Sequence, residues 1–109
     1  MSPTQTSTDV VVSTKTELKP PSLYDVIFFN DNKTHYEFVL LILMHIFGKN
    51  YDTAMELTNQ IHDKGREVVA TYSYEIASTK RDETISTARA NGHPLRVEIE
   101  PSSSDGDEH

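Results

Sequence analysis

At 109 residues the chain has room for one domain, and its 17 acidic side chains against 10 basic ones give a net charge of −7. That balance lacks the cationic stripe by which nucleic-acid binders hold phosphate, and the absence of cysteine excludes disulfides and thiolate metal sites. The most apolar run, Phe38 to Phe47, is ten residues and includes His45, against the about 20 residues that a bilayer span needs, and no charged head with an apolar run marks a secretory leader, so a cytoplasmic, membrane-free protein is expected.

The first 22 residues hold nine Ser or Thr, three Pro and no Gly or aromatic residue. Such a stretch buries too little apolar surface to offset its ordering entropy, so residues 1–18 are expected to be a disordered arm. The same argument makes residues 101–109, PSSSDGDEH, a disordered acidic tail and leaves residues 19–100 as the folded domain.

Within that domain Leu23 to Phe29, LYDVIFF, is aromatic and β-branched and predicts a strand, which Asn30-Asp31-Asn32 ends with turn chemistry. Thr34 and Glu37 have capping-box spacing, so a helix is expected from there to about Phe47, with Gly48 at its C-terminal cap. Asp52 is the expected N-cap of a second helix that reaches Lys64 and stops at Gly65. Ala54, Leu57 and Ile61 supply its apolar face. Arg66 to Ser73 reads as a strand. A third helix spans about Tyr74 to Ala90, with a thin apolar stripe, and Asn91-Gly92 closes it. Leu95 to Glu100 alternates, with Leu95, Val97 and Ile99 inward. The order β-α-α-β-α-β predicts an α+β fold: a three-stranded antiparallel sheet covered by three helices, with strand order left open by the pattern.

Candidate chemistry concentrates at the first turn. Asn30, Asp31 and His62 supply an amide oxygen, a carboxylate and an imidazole nitrogen, the acceptor types that suit a free α-ammonium group with its positive charge and three N–H donors. The same Asn-Asp pair is also ordinary turn and cap chemistry, and His62, beside Ile61 and one turn after Thr58, also reads as a boundary histidine. Residues alone leave both readings open. Asp31, His35 and His62 have no dedicated metal-ligand spacing, and no cofactor is implied. A small hydrolase using His62 and Asp31 lacks a nucleophile, a phosphate loop or a serine elbow. The Phe38–Phe47 run has more apolar residues than one helix face needs. It fits either a helix buried around most of its circumference or an exposed strip for a partner.

Four stretches carry a resemblance. KPPSLYDVIFFNDNKTHYEFV (19–39), AMELTNQIHDKG (54–65), ATYSYEIASTK (70–80) and ARANGHPLRVEIE (88–100) occur in order and at matching spacing. They resemble ClpS, the adaptor of ATP-dependent Clp proteases. The resemblance implies a non-enzymatic adaptor that binds N-degrons, proteins beginning with Leu, Phe, Tyr or Trp, and delivers them to a Clp AAA+ ATPase of ClpA or ClpC type, acting as a monomer. It implies that Asn30 and His62 hydrogen-bond the α-ammonium with Asp31 adding charge nearby. The cargo side chain then enters a pocket formed by Thr34, Tyr36, Val39, Thr58, Ile61 and Leu95. Glu75 and Lys80 match positions that contact the ATPase, and the arm at residues 1–18 matches the segment needed to hand over cargo. The sequence departs from the family pattern at His35 (usually Pro), Asn32 (commonly Asp), Tyr36 (normally a gating Met) and Thr58 (often Met). An alternative reading is therefore a specialised adaptor or inhibitor with altered N-terminal specificity.

Overall fold

The computed structural model describes residues 22–102. Its elements are β1 (Leu23–Phe29), α1 (Tyr36–His45), α2 (Tyr51–Lys64), β2 (Arg66–Ser73), α3 (Tyr74–Ala90) and β3 (Arg96–Pro101). The sheet order is β2-β1-β3 and both pairings are antiparallel. The α+β order and the antiparallel sheet are those predicted. The arm at residues 1–18 and the tail beyond Ser102 lie outside the described residues.

The most apolar strand takes the centre of the sheet. Val26, Ile27 and Phe28 are each no more than 1% exposed. Period-two alternation sends Val26 and Phe28 to the helix layer and Ile27 to the opposite face. The β1–β2 register shifts between Val26, opposite Ala70, and Ile27, opposite Val68. Val69 is thereby left unpaired and enters the core, with Ala70 packed against it. Phe28 meets Phe47 edge-on at 5.5 Å, which joins the sheet to the end of α1.

The Phe38–Phe47 run is mostly buried or half-buried, and Leu41, 50% exposed, is its one exposed apolar residue. The thin stripe of α3 has a packing reason. Ala77, Thr84 and Ala88 are buried, and small side chains let this helix lie close to the sheet. Thr84 satisfies its buried hydroxyl by donating to the Lys80 carbonyl at 2.8 Å.

Four sequence expectations are corrected at element ends. Thr34 and Glu37 do not form a capping box. The residue before α1 is His35, with no side-chain cap, because the Thr34 hydroxyl donates to Asp31 Oδ2 at 2.8 Å and is committed to the preceding turn. The N-cap of α2 is Asn50, whose side chain accepts from the Thr53 N–H at 2.8 Å, and Asp52 sits in the first turn, where its charge suits the helix dipole. α1 stops at His45, short of Phe47, although Gly48 takes the expected positive φ of 68°. β3 runs one residue past Glu100, with Pro101 opposite Tyr24, and the N–H of buried Ser102 donates to the Leu23 carbonyl at 2.8 Å.

Candidate functional site

The end of β1 and the end of α2 are pinned together through backbone. Gly65 adopts φ 90°, a left-handed conformation that glycine takes without a Cβ penalty, and closes α2 by donating to the Ile61 carbonyl. Its own carbonyl then accepts from the Asn30 N–H at 2.9 Å. This bond fixes Asn30 near the last turn of α2, where His62 sits, although the two are far apart in sequence.

The turn that follows is organised by one carboxylate. Asp31 Oδ1 accepts from the N–H groups of Lys33 and Thr34, each at 2.7 Å, and Oδ2 accepts the Thr34 hydroxyl. Burial alone would push the Asp31 carboxyl up. The hydrogen bonds from Lys33 and Thr34, with His93 nearby, outweigh it and hold the group below its ordinary value. Asp31 is thus a fixed negative charge whose acceptor capacity is largely spent on its own turn.

Between this turn, α1 and α2 lies a cavity of about 430 Å³. Every candidate binding residue read from the sequence lines it: Asn30, Asp31 and His62 among the polar ones, and Thr34, Tyr36, Val39, Thr58, Ile61 and Leu95 in the wall. Phe29 and Asn32 line it too. Val39, Thr58, Ile61 and Leu95 are buried, whereas Asn30 and His62 are exposed. His62 is therefore a rim residue and not a satisfied boundary histidine of the core. Buried Thr58 donates its hydroxyl to the Ala54 carbonyl at 2.7 Å, so it presents a methyl group and a satisfied oxygen.

Two supporting contacts had no local signal in the sequence. The Tyr36 hydroxyl donates to Asn59 Oδ1 at 2.9 Å, which ties the start of α1 to α2. Arg89 donates to the carbonyls of His93 and Leu95, both at 3.0 Å, and so holds the segment that presents Leu95. His93 packs its ring 4.3 Å from Phe38 and 5.0 Å from His35, with a buried Nδ1 that has no hydrogen-bond partner among the described residues.

The residues matched to an ATPase contact lie elsewhere. Glu75 is exposed in the first turn of α3. Lys80 is half-buried and donates to the Ile46 carbonyl at 2.7 Å, so its charge also sits at the negative end of α1. Among the described residues no helix is long and apolar enough to cross a membrane, and no group of three His, Asp or Glu residues could hold a metal ion.

A family model described as the ATP-dependent Clp protease adaptor protein ClpS matches residues 19–98. The ATP-dependent Clp protease adapter protein ClpS of Burkholderia mallei (strain SAVP1) is 37% identical over 98 residues, covering 90% of this chain and 94% of that protein. Its counterpart in Paraburkholderia xenovorans (strain LB400) is 42% identical over 84 residues, covering 77% and 81%. Among solved structures, Agrobacterium tumefaciens ClpS2 bound to L-phenylalaninamide matches with a TM-score of 0.74 and 34% identity, covering 76% of this chain and 100% of that one.

Proposed function

The chain belongs to the ClpS family and is an adaptor of the ATP-dependent Clp protease, and on that premise we propose how its own residues hold cargo. The cavity takes the first residue of a substrate protein. The α-ammonium donates to the Asn30 side-chain oxygen and the His62 imidazole, and Asp31 supplies negative charge nearby. The side chain lies against Thr34, Tyr36, Val39, Thr58, Ile61 and Leu95.

One observation carries this reading: residues scattered from position 30 to position 95 meet around a single cavity, with acceptors and apolar wall together. Its volume of about 430 Å³ falls within the roughly 300–1,000 Å³ of small-ligand sites. The relative from Agrobacterium tumefaciens binds L-phenylalaninamide, a single aromatic residue with a free amine, which supports the same assignment here. A titration compares a peptide with a free N-terminal Phe and its N-acetylated form. The free peptide is expected to bind and the acetylated one to lose binding, since acetylation removes the charge and two of the donors. Equal affinity for both would overturn the amine assignment.

A second reading, a specialised adaptor or inhibitor with altered N-terminal preference, is favoured by one contact: the Tyr36–Asn59 bond, which gives the pocket a stiff aromatic where a flexible Met is usual. We assign Glu75 and Lys80 to contact with a Clp AAA+ ATPase of ClpA or ClpC type, the adaptor acting as a monomer. We assign residues 1–18 to handing over cargo. Their removal should leave peptide binding intact and stop degradation of an N-degron reporter by the reconstituted protease.

A further inference from the structure

We infer that Asn59 is a specificity-determining positioning residue, which latches Tyr36 as a fixed wall of the cavity and biases the adaptor against the largest N-terminal side chain. The inference rests on the assignment of the cavity to the first residue of cargo. Tyr36 opens α1 and lines the cavity, and its hydroxyl donates to Asn59 Oδ1 at 2.9 Å across 23 positions of sequence. Asn59 follows Thr58, a wall residue, and precedes His62 by three positions, so it stands on the rim of the same helix face. Asn59 itself is absent from the cavity lining and acts on cargo through the tyrosine alone.

The physical consequence is one of freedom. Tyr36 is 42% exposed, so packing alone does not hold its ring. A tyrosine has two χ angles, and anchoring its far end restricts both. A latched ring is a wall with one shape, whereas an unlatched ring can swing outward and make room for an indole. Leu and Phe fit beside a fixed ring; Trp requires the latch to break. The cost of Trp is thus the hydrogen bond, and Asn59 sets it.

Four peptides that differ only in the first residue (Leu, Phe, Tyr, Trp), each with an N-acetylated control, are titrated against the full-length protein and against Asn59→Ala, Tyr36→Phe, the double variant and Asn59→Asp. Wild type should prefer Phe to Trp. Asn59→Ala and Tyr36→Phe should each narrow that preference by about fivefold, the scale of one exposed hydrogen bond. The double variant should do no more than either single change, because both remove the same bond. Asn59→Asp keeps an acceptor and should retain the preference. A Phe-to-Trp ratio that stays at its wild-type value in Asn59→Ala, or a wild type that binds Trp as well as Phe, overturns the latch while leaving the amine reading intact. Loss of discrimination between free and acetylated Phe in wild type overturns the cavity assignment, and the latch with it. Asn59 is exposed on a helix surface, so its replacement by Ala leaves the fold in place, which a denaturation curve on the same sample checks.

Discussion

The cavity has two halves that are built in opposite ways. The polar half stands on the surface: Asn30 and His62 are exposed, the first in the turn that the Asp31 carboxylate and the Gly65 carbonyl close, the second in the last turn of α2. The apolar half is the core itself, since Val39, Ile61 and Leu95 are at most 6% exposed and belong to the main hydrophobic cluster. The polar half can therefore change recognition with little effect on folding, while the apolar wall cannot change without altering stability. Tyr36 is the exception on the wall side: 42% exposed and held by a hydrogen bond, it is a wall residue that can vary as freely as a rim residue.

This contrast is sharpest at Leu95, 1% exposed in both roles. Leu95→Ala is expected to cost about 2–5 kcal/mol of folding stability, the range for a buried Leu truncated to Ala, read as a shift in denaturant midpoint. Peptide affinity should fall with it. A variant that loses affinity at unchanged midpoint would show that the wall is separable from the core.

His62→Ala should do the reverse. Affinity for a peptide with a free N-terminal Phe should drop by about 1.5–3 kcal/mol, the range for a hydrogen bond to a charged group, with the melting temperature nearly unchanged. Wild-type affinity in this variant would remove His62 from the amine site.

Asp31 lies between the two cases, because it both closes the turn and supplies charge. Asp31→Ala should cost about 1–2 kcal/mol of stability, comparable to loss of a good helix cap. The pH dependence has a definite sign. The folded carboxyl sits below its ordinary value, so its contribution is complete above the unfolded value and is lost as pH falls through the lower folded one. The stability gap between wild type and Asp31→Ala should stay constant from neutral pH down to the ordinary carboxylate range and close on further acidification. A gap that opens instead would mean that burial and not the turn's hydrogen bonds governs this group.

The smallest effect is expected at Tyr36. Tyr36→Met replaces a ring beside the cargo by a flexible chain, which should reduce the preference for Phe over Leu by about 0.5–1.5 kcal/mol, the worth of an aromatic pair, and admit Trp. An unchanged order across the four peptides would place the ring outside the cargo's reach.

Much of this was legible in the sequence, for local reasons. The aromatic and β-branched run LYDVIFF specified a strand. Gly65 and Asn91-Gly92 stopped their helices because positive φ favours glycine, and alternation in Leu95 to Glu100 identified a strand with one buried face. The adaptor reading came from four spaced motifs, and each cargo-binding residue they pointed to lines the cavity, while Glu75 and Lys80 lie elsewhere. The caps differ from the expected ones because each stretch offered more than one capping side chain. Asp31 took the Thr34 hydroxyl from its expected helix, and Asn50, two positions earlier, took the place of Asp52. Strand order, the unpaired Val69, the Asn30–Gly65 bond that holds Asn30 near the last turn of α2, and the Tyr36–Asn59 bond were decided only by the tertiary structure. Each joins groups from different elements, and a pattern within one element carries no information about which distant partner its surface will meet.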